Sequence, residues 1–194
     1  KNTNGQLGDG STTQRNTPVQ VPNVSNVVQA AAGGKHSIFV KSDGTLWAMG
    51  KNSMGQLGDG TYGQRNAPVQ VPNVSGVVQV AAGQNHSLFV KGDGTLWGMG
   101  LNDNGRLGDG TAVVKTSPVQ VPDVSNVVQV AAGGSHSLFL KSGGTLWAMG
   151  RNHLGQLGDG TITDRPSPVQ VPNVSGVSQI AAGDSHNLFL KTDG

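Results

Sequence analysis

The string Asn52, Gly55, Leu57-Gly58-Asp59-Gly60 recurs from Asn2, Asn102 and Asn152, always 50 residues on and without a gap. Over the first 44 columns of this period, 22 are the same in all four copies. The last six columns, Thr45-Leu46-Trp47-Ala48-Met49-Gly50, exist in three copies only. A fixed period of this length marks an architecture whose units cannot bury their own faces and must stack on their neighbours. The chain is therefore read as one array, with units 1–50, 51–100, 101–150 and a shortened 151–194.

Within one period the pattern is that of β-structure. Val77-Val78-Gln79-Val80-Ala81-Ala82 is β-branched and apolar, His86 to Lys91 is mostly apolar, and Thr95-Leu96-Trp97 opens a third run. Gly92-Asp93-Gly94 supplies hairpin chemistry between the last two. A fourth run, Val69-Gln70-Val71, lies between Pro68 and Pro72. Because Pro cannot donate to a ladder, that run is predicted to be an edge strand. Helical spacing is absent, and Gly (31) with Pro (9) makes up about a fifth of the chain, which disfavours helix. Four short strands per unit predict an all-β propeller of four-stranded antiparallel blades, one for each repeat of about 50 residues, the last truncated. The long stretch from Lys51 to Ala67 must be ordered by packing or be functional. Leu57 is read as a plug against the blade, and its flanking glycines as positions of unusual backbone angle. The Trp47 column is expected in the blade core.

Composition narrows the function classes. The absence of Cys excludes disulfides, thiolate metal sites and a cysteine nucleophile, but fixes no compartment. No run of about 18 apolar residues exists to span a membrane as a helix. The opening Lys1-Asn2-Thr3-Asn4 has no signal-peptide character. These features predict a soluble piece with no membrane partner. A net charge of +2, from 13 basic and 11 acidic residues, gives no basic surface for nucleic acid, and no aromatics interleave with basic residues as stacking platforms.

Several motifs carry a family resemblance. Ala81-Ala82-Gly83, His86-Ser87, Asp93-Gly94-Thr95-Leu96-Trp97, Gly100, Asn102, Gly105 and Leu107-Gly108-Asp109-Gly110, in that order, resemble the repeat of the regulator of chromosome condensation family. The resemblance covers the whole chain. It implies a seven-bladed propeller whose blades combine strands of adjacent repeats, and members that include a GTPase nucleotide-exchange factor and a secreted bacterial β-lactamase inhibitor, both acting through loops on one face. Four units do not make seven blades. The expectation is an arc belonging to a larger or oligomeric propeller, either part of a longer chain or a homo-oligomer. On one phasing Val177 to Lys191 is left with two strands whose outer partners are missing; on the other, Val69 to Val71 joins the blade that follows. Both leave an open edge and an apolar face, which recruit other chains.

Catalytic and metal motifs fail on context. Gly58-Asp59-Gly60-Thr61-Tyr62-Gly63 matches a phosphate-cradling fingerprint, but a β run follows where a helix is required. His36, His86, His136 and His186 occupy one column; a His opening a strand in every unit is expected to bond a backbone group of the adjacent blade rather than share a metal. His153 stands alone in a loop and is expected to face water. A Ser-His-Asp site needs one unique arrangement, whereas every candidate here is repeated. Asp9, Asp59, Asp109 and Asp159, between glycines and with no closing Glu, read as turn caps rather than calcium ligands. Asn23, Asn73, Asn85 and Asn173 begin N-x-S sequons. The sequence thus predicts a non-catalytic protein-interaction or assembly scaffold with no cofactor and no metal. A loop-mediated enzyme regulator is the alternative, and a self-assembling ring or filament the second. The columns that vary nominate Arg15, Lys35, Tyr62, Arg65, Lys115 and Arg165 as partner-binding residues.

Overall fold

A computed structural model describes residues 1–194 as all-β, with fourteen strands and no helix. Four strands form the first sheet: β1 (Val27–Ala32), β2 (His36–Lys41), β3 (Leu46–Gly50) and β4 (Arg65–Gln70). The second holds β5 (Val77–Ala82), β6 (His86–Lys91), β7 (Leu96–Gly100) and β8 (Lys115–Gln120). The third holds β9 (Val127–Ala132), β10 (His136–Lys141), β11 (Leu146–Gly150) and β12 (Arg165–Gln170). A two-stranded fourth sheet pairs β13 (Val177–Ala182) with β14 (Asn187–Lys191). Each is an antiparallel meander. The first strands lie innermost, where β1, β5, β9 and β13 adjoin one another in turn.

The phasing that the sequence left open is settled by the strand pairs. Ala48 pairs with Val69 and Gly50 with Arg65, so the fourth strand of each blade comes from the next 50-residue unit. The predicted edge strand Val69–Val71 begins earlier and ends at Gln70. Its register breaks between Ala48 and Gly50, which lets Pro68 sit in a strand without a ladder bond. Arg15–Gln20, one residue different from Arg65–Gln70, forms no strand because no third strand lies beside it. Neighbouring backbone decides this segment, not its own propensity.

Three apolar layers between consecutive blades form the core. Ile38, Val40, Leu46 and Ala48 of the first blade meet Val77, Val80, Phe89 and Met99 of the second, with Leu57, Val71 and Val74 closing the layer. The arrangement repeats at the next two junctions. Leu57, Leu107 and Leu157 are 0%, 0% and 1% exposed, as the plug reading expects. Gly100 has φ +109°, and a Cβ there would stand 2.6 Å from the Asn85 carbonyl oxygen, so only glycine fits where β7 turns into the loop. The tryptophans depart from expectation. Trp47 is half-buried, stacked on Phe39 at 6.3 Å with the Lys41 ammonium 4.4 Å above its ring. The indole thus bridges core and solvent, as amphipathic aromatics do.

Polar bonds cross each junction as well. The Gln29 side-chain oxygen accepts from the Val80 amide at 2.9 Å, and Gln79 and Gln129 do the same for Val130 and Ile180. His36 meets the Ser87 hydroxyl at 2.9 Å, His86 meets Ser137 at 3.0 Å, and His136 meets the Asn187 side-chain oxygen at 2.7 Å. The histidines therefore join neighbouring blades, but through side chains rather than the backbone groups expected.

Candidate functional site

The antiparallel order puts two kinds of loop on one face: the tight links 33–35, 83–85, 133–135 and 183–185, and the long links 51–64, 101–114 and 151–164. The hairpins at 42–45 and the links at 71–76 lie on the other. The first face combines a fixed scaffold with variable tips. Asn52 is fully buried and organises the long loop: its carbonyl accepts from the Leu57 amide, and its amide donates to Asp59 and to the Thr61 carbonyl. Asn102 and Asn152 repeat this set.

The Asp column caps the turn, as expected. Asp59 Oδ1 accepts from both the amide and the hydroxyl of Thr61. Its other oxygen holds Arg65 at 2.7 Å. Asp9 holds Arg15, Asp109 holds Lys115 and Asp159 holds Arg165 in the same way. Hydrogen bonds from Ser11 and Arg15 pull the Asp9 carboxyl down to about 2. Burial of Asp159 alone acts upward, but the Thr161 hydroxyl and Arg165 overcome it and bring the group to about 2. Four of the six nominated residues, Arg15, Arg65, Lys115 and Arg165, are therefore tied into their own loops by ion pairs. Lys35 is exposed on a tight link, and Tyr62 is 60% exposed at a long-loop tip. Val113, Ile162 and Leu154 are also exposed on long loops, at 61%, 70% and 73%.

One feature of this face escaped the sequence reading. Arg106 replaces the Gln of Gln6, Gln56 and Gln156, and it is 2% exposed. Its guanidinium donates to the Gly134 carbonyl at 3.2 Å and to Asp103 and Asn104. Asn104 in turn donates to Asp164 of the next long loop at 3.0 Å, and Asp164 accepts from the Asn152 amide. The signal was visible as one charge in an otherwise neutral column. His153, expected in water, is exposed beside Asp164 at 3.7 Å.

Radial four-stranded blades, inter-blade histidines and a face of ordered loops with variable tips define a β-propeller of the kind built from tandem repeats. The RCC1-like domain family matches residues 1–194, and the chain belongs to that family. Among solved structures it is similar to Prp20p from Saccharomyces cerevisiae, described with its binding to Gsp1p and histones, at TM-score 0.75 and 22% identity over 88% of this chain and 46% of that one. Yeast RCC1 (Prp20) in complex with Kap60 aligns with TM-score 0.74 and 26% identity, covering 86% of this chain and 42% of the other. Human WBSCR16 aligns with TM-score 0.68 and 22% identity, covering 99% and 66%. The chain spans less than half the length of either yeast structure. No curated protein sequence matches it.

Proposed function

We propose that the chain is a non-catalytic protein-binding scaffold whose specificity resides in the long-loop face, with Lys35 and Tyr62 in contact with the partner and Val113 and Ile162 extending the surface. The observation that carries this reading is the division of labour within each loop. Asn52, Leu57 and Asp59 are spent on holding the loop, while the columns that change place exposed side chains at its tip. Family membership supports it, since Prp20p is described as binding Gsp1p and histones and yeast RCC1 (Prp20) is seen bound to Kap60. Arg15, Arg65, Lys115 and Arg165 act here through their ion pairs, shaping the loops and contributing partial positive charge at the rim. Their neutralisation by aspartate favours protein over nucleic acid as the partner.

The test is affinity capture from the native source with the wild-type chain and with a Lys35→Glu, Tyr62→Ser, Val113→Ser, Ile162→Ser variant. A discrete protein retained by the first and lost by the second is expected, while Val78→Ser, an exposed position on an inner strand, leaves capture unchanged. Equal capture by both loop forms overturns the reading. Accelerated nucleotide release from Gsp1p by the wild-type chain selects the enzyme-regulator alternative.

A further inference from the structure

One junction of the loop face is built differently from its counterparts. In three units the residue at the column of Arg106 is Gln6, Gln56 or Gln156, and its side-chain oxygen accepts from the amide two residues earlier, at 2.9, 2.9 and 3.0 Å, so the bond stays within one loop. A guanidinium has no acceptor. Arg106 instead reaches beyond its own loop, and its bonds to the Gly134 carbonyl, Asp103 and Asn104 tie the long loop of the second blade to the tight link of the third. Asn104 carries the connection on to Asp164 on the third blade's long loop, where Asp164 also holds the Asn152 amide. Gly134, whose carbonyl takes the Arg106 bond, is buried, whereas Gly34 and Gln84 at the same place are exposed.

The residues of this network depart from the repeat together. Asp103 stands where the other units have Thr3, Ser53 and His153, and Asp164 stands where they have Gln14, Gln64 and Val114. Both blades at the junction are complete four-stranded sheets. The tips of the two joined loops carry Val113 and Ile162, both exposed, as Tyr62 is on the loop before. Beside them the cations are already paired: Lys115 with Asp109, Arg165 with Asp159 and Arg106 with Asp103. Apolar side chains are thus the free contacts here.

We propose that Arg106 is a positioning residue that locks loops 101–114 and 151–164 into a single binding surface, and that the partner is a folded protein presenting apolar side chains to Val113 and Ile162 together. Two loops held at fixed spacing lose little freedom on binding, whereas independent loops must be ordered by the partner. A flexible charged tail gains nothing from such a lock, because the cations at this junction are neutralised within the chain. The inference rests on the long-loop face as the binding surface and names the pair of loops that carries it.

Arg106→Gln restores the residue of the other three units, so the fold is retained, and it tests the lock in two ways. Hydrogen exchange of the loop amides at 101–114 and 151–164 is expected to quicken by about tenfold, with 51–64 unchanged. Binding of the captured protein is expected to weaken by about tenfold. In the wild-type background Val113→Ser and Ile162→Ser are expected to be coupled, the double variant departing by about threefold or more from the product of the single losses; in the Arg106→Gln background the losses simply multiply. Asp164→Val, matching Val114, should undo the lock as Arg106→Gln does, while Asp164→Gln should keep it, since Gln64 accepts from Asn4 at 3.1 Å. Unchanged exchange in Arg106→Gln, or a captured protein bound equally by both chains, overturns the proposal. A wild-type chain that captures no protein overturns the scaffold reading and the binding half of this one with it, while exchange still reports the lock.

Discussion

His86 and Ser137, 51 residues apart, are joined by a 3.0 Å hydrogen bond in the layer between the second and third blades. The Ser137 hydroxyl donates to the Arg106 carbonyl, so its oxygen can only accept from the imidazole. That fixes the proton on Nε2 and leaves a bare Nδ1 facing Gly83, with no partner for a second proton. The same logic applies to His36, whose serine donates to the Gln56 carbonyl.

Stability should therefore depend on pH in a particular window. Burial lowers the His36 pKa to about 4 and drives His86 and His136 down as well. The unfolded chain binds protons below about 6.5 that the folded chain refuses, so stability is complete above that pH and falls as pH drops toward about 4. His36 alone should cost on the order of 3 kcal/mol by then. Urea midpoints at pH 7.5, 6 and 4.5 check this. A triple His→Gln variant at 36, 86 and 136 should be weaker at neutral pH but flat across the window; a flat wild-type profile contradicts the argument.

Ser137→Ala should cost about 1–3 kcal/mol, because it leaves the His86 Nε2–H buried without an acceptor. Ser37→Ala removes only the bond to the Gln6 carbonyl, with no histidine before it, and should cost less. Denaturant unfolding of the two variants compares them directly, and equal losses would refute the histidine's share.

Leu57→Ala opens a cavity in a closed layer and should destabilise by about 3 kcal/mol. Leu7→Ala, the same substitution at the half-buried first copy, should cost about 1 kcal/mol. Thermal unfolding of both variants reads the difference, which vanishes if the loops are not packed by their plugs.

The third hairpin invites a stabilising change. Asp43 and Asp93 each accept from the amide and hydroxyl of the following threonine, at 45 and 95, but the equivalent residue is Gly143. Without that anchor, the bond from Trp147 to Thr145 stretches to 3.3 Å, against 3.0 Å in the other two blades. Gly143 has no neighbour within 4 Å of a new Cβ and no positive φ. Gly143→Asp should therefore add about 1 kcal/mol by restoring the carboxylate oxygen that accepts both bonds and by stiffening the unfolded chain. An unchanged denaturation midpoint would show the capping bonds to be worthless here.

The period, the strand count, the plug at Leu57 and the aspartate caps were all legible, because each follows from local chemistry repeated four times. The blade's composition was not. Whether Arg65–Gln70 joins the sheet before or after it depends on which backbone lies alongside, and the strings at 15 and 65 differ by one residue yet end differently. The tryptophans misled because an indole counts as apolar in a sequence, whereas Lys41 above Trp47 shows one face near water. Four nominated cations were readable as variable-loop charges, but not as partners of aspartates six residues earlier.

The staggered fourth strand has a consequence for where the molecule can be divided. A break between Gln70 and Val77 severs no ladder, so both fragments keep whole sheets, while one between Gly50 and Lys51 strips β4 from its partner. The portable module is accordingly 77–126 rather than 51–100, and units grafted, deleted or duplicated at that joint should transplant with their sheets intact.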